Sequence, residues 1–213
     1  MQQLQEVHIP TNVLAIGAHP DDIELGCGGT LVRHVSNGDD VTMLVVTHGE
    51  AGPGEVAGRQ QEQERASQML GVDRLVWANL PDGRVSNHEL ALVHVIEQTI
   101  RSHDIEVVYS HSDRDSHQDH RAIAAATWGA ARHCRHVLMY DSPSSHEFTP
   151  TVFVDIGDTL EKKIAALECH LSQVASSRMA DSNLVRTQAG YRGFQARVSA
   201  AEGYMVHRML LDF

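Results

Sequence analysis

A chain of 213 residues with 42% hydrophobic content can bury one substantial core and is too short for two comfortable ones, so a single domain over residues 1–213 is expected. Its formal net charge of -11 argues against electrostatic capture of a nucleic-acid backbone and for a protein that handles small molecules. No apolar run reaches the roughly 18 residues of a membrane span, Met1 to Pro10 lacks the order of a signal peptide, and Cys27, Cys134 and Cys169 lack disulfide or zinc-knuckle spacing, so a cytoplasmic protein is expected.

Val13 to Ala18 reads as a buried strand, and Pro20 keeps His19 extended. His19, Asp21 and Asp22 therefore emerge at the strand's carboxyl end, where open α/β sheets bind ligands. A glycine turn through Gly26, Gly28 and Gly29 leads to a helix over Thr30 to Asn37, stopped by Asn37-Gly38-Asp39-Asp40. Val41 to Thr47 is a second strand, apolar enough to be covered on both faces. His48 to Gly58 is a loop leaving the same edge, rich in glycine and carrying Glu50, and Arg59 to Leu70 restores helical periodicity before a short strand at Arg74 to Trp77.

Leu80 to Arg84 is a turn, and Asn87 to Ser102 a helix with Leu90, Val93, Ile96 and Ile100 along one stripe. A strand at Ile105 to Ser110, a helix at Ala122 to Ala131 and a strand at Val137 to Tyr140 continue the alternation. The fold class expected is α/β, a doubly wound, mostly parallel sheet with helices on both faces. Phe153 to Ile156 reads as an edge strand, Asp158 as the cap of a helix running to His170, and Ala200 to Leu210 as a closing helix.

Two stretches crowd ionisable groups at metal-ligand spacing. His19 and Asp22, three apart across a tight turn, can converge on one cation, with Asp21 between them close enough to reach a water on it; the plainer reading makes either aspartate a helix cap. His117-Gln118-Asp119-His120 follows a strand and opens a helix in the same way, which in a parallel sheet puts it on the same rim. One of its histidines can serve as a ligand while the other stands beside it. Three protein ligands with an open position are the plan of a catalytic metal. A dinucleotide site fits poorly, because Leu31 stands where a third glycine is needed. A two-metal phosphoesterase wants more carboxylates, and a non-catalytic binding module leaves Asp21 and His117 without use.

On these motifs the chain resembles the PIG-L/LmbE-like family of metal-dependent N-deacetylases of sugars. Ala18-His19-Pro20-Asp21-Asp22-Ile23-Glu24 matches the family signature and His117 to His120 its later His-x-Asp-His. Arg59-x-x-Glu62 with Leu70-Gly71-Val72, Pro81-Asp82-Gly83, and Lys163 to Gln173 are similar too. The resemblance implies an LmbE-like fold and a divalent cation on His19, Asp22 and His120. Zinc is the first choice; iron, manganese and cobalt suit the same ligands. It further implies Asp21 as general base toward a metal-activated water, His117 as partner of the developing oxyanion or as proton donor to the departing amine, Asp119 as the residue that orients His117 or stabilises its cationic form, and Arg59, with Asp82 and Glu50 as weaker candidates, as substrate contacts. The expected partner is a small N-acetylated amino sugar of the N-acetylglucosamine type, with neither nucleic acid nor a membrane span involved; self-association is left open.

Overall fold

The computed structural model describes residues 9–72, 74–175 and 180–211. The expected alternation of strand and helix is present. β1 (Asn12–Gly17), β2 (Asp40–Val45), β3 (Arg74–Trp77), β4 (Val107–His111) and β5 (His136–Tyr140) run parallel, and the whole sheet has the order β3-β2-β1-β4-β5-β7-β6. β1 and β4 are neighbours at the place where the strand order reverses, so the loops after them open into the same crevice.

Side chains alternate across the pleat and divide the core in two. Val13, Ala15, Val41, Met43 and Tyr109 face α1 (Asp22–Asn37), α2 (Val56–Leu70) and α5 (Leu160–Leu167), meeting Ile23, Leu31, Leu70 and Ala166. Leu14, Ile16, Leu44 and Val108 face the opposite way, onto Leu92 and Ile96 of α3 (Glu89–Ser102) and Ile123 and Ala126 of α4 (Gln118–Ala130). On α3 the buried residues are Leu92, Ile96 and Thr99, whereas Leu90 is exposed, so the expected stripe is rotated toward Leu92.

Four parts of the chain depart from expectation. The glycine turn is helix: α1 begins at Asp22, with Gly26, Gly28 and Gly29 inside it. Their low helix propensity yields to packing, since a Cβ on Gly26 would lie 2.2 Å from the Tyr140 ring and one on Gly29 2.8 Å from Ile156. The closing helix expected over Ala200 to Leu210 is a strand, β7 (Ala201–Met209), antiparallel to β5 and to β6 (Val152–Asp155). The third is an unforeseen helix, α7 (Ser182–Ala196), whose two glycines and exposed Leu184, Tyr191 and Phe194 leave no clean apolar stripe. Thr159, rather than Asp158, stands at the N-cap of α5, and a short helix, α6 (Leu171–Val174), follows it.

β7 carries a charge into the core. Glu202 is buried, accepting hydrogen bonds from Gly29 N (2.9 Å), Thr30 N (2.8 Å) and the Tyr204 hydroxyl (3.1 Å) and pairing with Lys163 Nζ at 2.6 Å. Removing one partner of such a pair costs about 3–5 kcal/mol because the other charge stays in low dielectric. Lys163→Met is expected to fall near the lower end, about 3 kcal/mol, because backbone N–H groups and hydroxyls still solvate the carboxylate. Urea denaturation measures it; a loss below about 1 kcal/mol, the range of exposed pairs, would show that Lys163 contributes no more than a surface charge does.

Candidate metal centre

His19 and Asp22 lie at the C-terminal end of β1, where the chain turns directly into α1. The turn is tight because His19 N donates to Asp22 Oδ2 at 2.8 Å and Asp22 N to the His19 carbonyl at 3.3 Å. Asp21 occupies the N-cap position with φ 103°, a left-handed backbone that is rare for a residue with a Cβ, and its side chain makes no capping bond. The capping reading therefore fails for Asp21, and Asp22 is spent on His19. His117 and His120 stand at the start of α4 beyond β4, with His117 as its N-cap.

The two loops meet. Asp22 Oδ2 is 3.2 Å from His19 Nδ1 and 3.4 Å from His120 Nε2, and the rings of His19 and His120 are 5.6 Å apart. His120 Nε2 is buried and has no hydrogen-bond partner, while its Nδ1 pairs with Asp115 Oδ2 at 3.0 Å. With Nδ1 paired to that carboxylate, Nε2 is the nitrogen turned toward Asp22 and the one that can ligate a cation in place of a proton, the arrangement of a metal-bound imidazole with an anionic partner behind it. The ligand atoms of His19, Asp22 and His120 lie within 4.8 Å of one another. Two imidazoles and one carboxylate suit zinc and its first-row neighbours, and an orphaned buried nitrogen among them is accounted for by a cation; the residues fit the group.

His111, from the end of β4, is also 3.4 Å from Asp22 Oδ2 and stacks on His120 with ring centroids 3.8 Å apart. It cannot be a fourth ligand through Nε2, because that nitrogen accepts the Ala18 N–H at 3.0 Å. Complete burial, and then the neighbouring His120, hold His111 down at about 4, neutral. His120 is the opposite case. Burial disfavours its charge, yet Asp22 and Asp115 carry it up to about 9, so the pocket between them favours a positive charge.

Asp21, partly exposed, lines the same cavity of about 500 Å³ with His19, Asp22, Arg59, Asp82, His117 and His120. Burial, and then the charge of Asp22, push its carboxyl up to about 7. His117 accepts the Asp119 backbone N–H on Nδ1 at 3.3 Å, which leaves Nε2 to carry the proton of a neutral ring. Burial, followed by the nearby His120 and His19, lowers its pKa.

The support expected of Asp119 is partly direct: its backbone N–H holds His117 and its charge favours the protonated ring. Its carboxylate also accepts from Gly83 N at 2.7 Å and Val85 N at 3.2 Å and lies 3.6 Å from His19 Nε2. Asp82 shares that duty, with Oδ1 3.0 Å from His19 Nε2 and Oδ2 accepting the Ala51 N–H at 2.9 Å. Burial would raise Asp82, but the bond and charge of His19 bring it down to about 2. Glu50 is exposed and stands outside the cavity lining, accepting the Asp82 N–H at 2.8 Å. Arg59, buried in the first turn of α2, donates to the carbonyls of Gly49 and Pro20 rather than pairing with Glu62, which instead accepts from Ser172.

Asp115 was not singled out by spacing. It is wholly buried, and besides His120 it accepts the His117 N–H at 2.8 Å and the Ser142 hydroxyl, which hold its carboxylate well below the usual range. The available signal was an aspartate two residues before a histidine at a helix start, the pattern of an Asx turn.

This arrangement can be set beside proteins already known. Residues 14–131 match the PIG-L family, described as GlcNAc-PI de-N-acetylase. The uncharacterized deacetylase YaiS of Escherichia coli (strain K12) is 36% identical over 167 residues, spanning 75% of this chain and 90% of that one. Diacetylchitobiose deacetylase of Thermococcus kodakarensis is 29% identical over 190 residues, spanning 76% of this chain and 69% of that one. Among solved structures, the conserved protein TT1542 from Thermus thermophilus superposes with a TM-score of 0.85 at 26% identity, covering 94% of this chain and 96% of that one. The first match runs from within β1 to the residue after α4 and so encloses both halves of the site, and the chain belongs to the PIG-L family of deacetylases.

Proposed function

We propose that this protein is a metal-dependent hydrolase that removes the N-acetyl group from an N-acetylglucosamine-type amino sugar, with His19, Asp22 and His120 holding the cation, zinc in the first place. The observation that carries the reading is the buried, partnerless His120 Nε2 facing Asp22 and His19 at a cavity that Asp21 and His117 also line. The relative from Thermococcus kodakarensis, named for diacetylchitobiose, supports an acetylated sugar as the substrate class.

When bound, the cation supplies Lewis acidity, polarising an acetamide carbonyl and bringing the pKa of a water toward about 7. The chain's own groups supply the rest. Asp21 takes the proton of the attacking water, for which a carboxyl raised by burial is suited. His117 donates its Nε2–H to the carbonyl oxygen as negative charge gathers there. The C–N bond then breaks, acetate is released, and the proton held by Asp21 goes to the departing amine nitrogen. Asp82 and Asp119 orient His19, and through Ala51 and Gly83 they tie the neighbouring loops to it. Arg59 forms part of the wall against which the sugar lies.

The test is acetate release from a panel of N-acetylated amino sugars, N-acetylglucosamine and diacetylchitobiose among them, with elemental analysis of the same protein. Release that a chelator abolishes and added zinc restores is expected. A zinc-loaded, folded protein that frees acetate from none of them would overturn the proposal.

A further inference from the structure

Asp21 is held from behind by a pair of side chains one turn apart on α2. Its peptide bond to Pro20 is gripped at both ends: Arg59 Nη2 donates to the Pro20 carbonyl at 3.2 Å, and Gln63 Oε1 accepts the Asp21 N–H at 3.3 Å. The amide of Gln63 is in turn oriented by Glu24, whose Oε1 accepts from Gln63 Nε2 at 2.7 Å. Gln63, Glu24 and the adjoining His170 are all wholly buried, with His170 Nε2 3.5 Å from Glu24 Oε2. A carboxylate and an imidazole sealed in the interior are costly, and fold stability alone is weak grounds for them. What they adjoin is a backbone at φ 103°, a strained conformation for a residue with a side chain, which persists only where surrounding contacts impose it.

The geometry points to Gln63 as a positioning residue: locked by Glu24, it fixes together with Arg59 the plane of the Pro20–Asp21 peptide and thereby aims the Asp21 carboxyl into the cavity. This rests on the reading of Asp21 as the base. Gln63 bonds to none of the three ligand residues and does not itself line the cavity, so its loss should act on the reaction through Asp21 alone. Without the grip, the peptide is free to relax toward an ordinary φ. Such a rotation displaces the carboxyl by an ångström or more, a misplacement that can cost roughly 10²-fold in rate.

Gln63→Met, which keeps the volume and removes both hydrogen bonds, is the direct test, measured with Asp21→Asn and the double variant. Expected for Gln63→Met are a kcat lower by roughly 10- to 10²-fold, an unchanged KM and unchanged metal content, with faster hydrogen exchange at the Asp21 amide. In the Asp21→Asn background the same change should cost nothing further in kcat, because the group being aimed is already gone. Should Gln63→Met not fold, Gln63→Asn takes its place; its amide is one methylene too short to span Glu24 and Asp21. A parental kcat in the folded Gln63 variant, or an equal loss in both backgrounds, overturns the positioning role while leaving Asp21 as the base. A parental kcat in Asp21→Asn alone instead removes the reading beneath it, and the inference falls with it.

Discussion

His120→Ala is expected to lose its metal and, as a consequence, its activity, with the fold intact. Of the three proposed ligands, His120 alone contributes a buried nitrogen that makes no hydrogen bond, facing only the Asp22 carboxylate beside which the cation would sit, and nothing else in the protein supplies that ligand. Its removal also takes one hydrogen-bond partner from Asp115, which keeps the His117 N–H and the Ser142 hydroxyl, and leaves Asp22 facing only His19 and a His111 whose Nε2 is already occupied. The drop in affinity should therefore exceed the roughly 10–100-fold typical of losing an outer partner of a ligand, which is the loss expected for Asp115→Asn. The site sits on a rim between two loops, and the cores above and below the sheet contain none of its residues. Far-ultraviolet circular dichroism should consequently be unchanged while elemental analysis reports an empty protein. Full metal occupancy in His120→Ala would remove the α4 half of the site, and collapse of the metal-free parent would make the ion a structural one.

How far the sequence could anticipate this site follows from which interactions are local. His19 and Asp22 are joined by a turn that their own spacing and Pro20 dictate, and His117 and His120 by the first turn of one helix, so each half could be read separately. The strand-helix alternation implies a parallel sheet and so a common rim for the two halves; that β1 pairs with β4, which brings them into contact, is seen only in the structure. The supporting residues depend on distance in sequence. Gln63 meets Asp21 across 42 positions, and Asp82 meets His19 across 63, through packing that no period or motif encodes. The same cause explains the C-terminal error. Glu202 and Gly203 interrupt the alternation of β7, and what permits them, Lys163 on α5 and Pro150 against the glycine, lies far away in the chain. Gly26 and Gly29 read as turn formers for a similar reason: the Tyr140 ring and Ile156 that require small residues there belong to segments more than a hundred residues on.

The two adjacent aspartates should behave oppositely, and the reason is visible in what each oxygen faces. Asp22 Oδ2 accepts the His19 N–H and faces three imidazoles, so Asp22→Asn replaces a carboxylate oxygen at the centre of the cluster with a weaker, neutral one. Asp21 contributes no oxygen to that cluster; its carboxyl is open to the cavity, and its backbone stands at a positive φ that asparagine tolerates better than most residues. Asp21→Asn should thus keep the turn, the fold and the metal while losing the proton acceptor. A general base is worth typically about 10²- to 10⁴-fold, and kcat for acetate release should fall by that factor at parental metal occupancy. Asp22→Asn should lose metal first and activity in proportion, with partial recovery in excess zinc. The two are measured together, for bound metal and for acetate release on one responsive substrate. If Asp21→Asn were the variant that lost the metal, or if it worked as fast as the parent, the proton would have to be taken elsewhere, and His117, which lines the same cavity and is not a proposed ligand, would be the base.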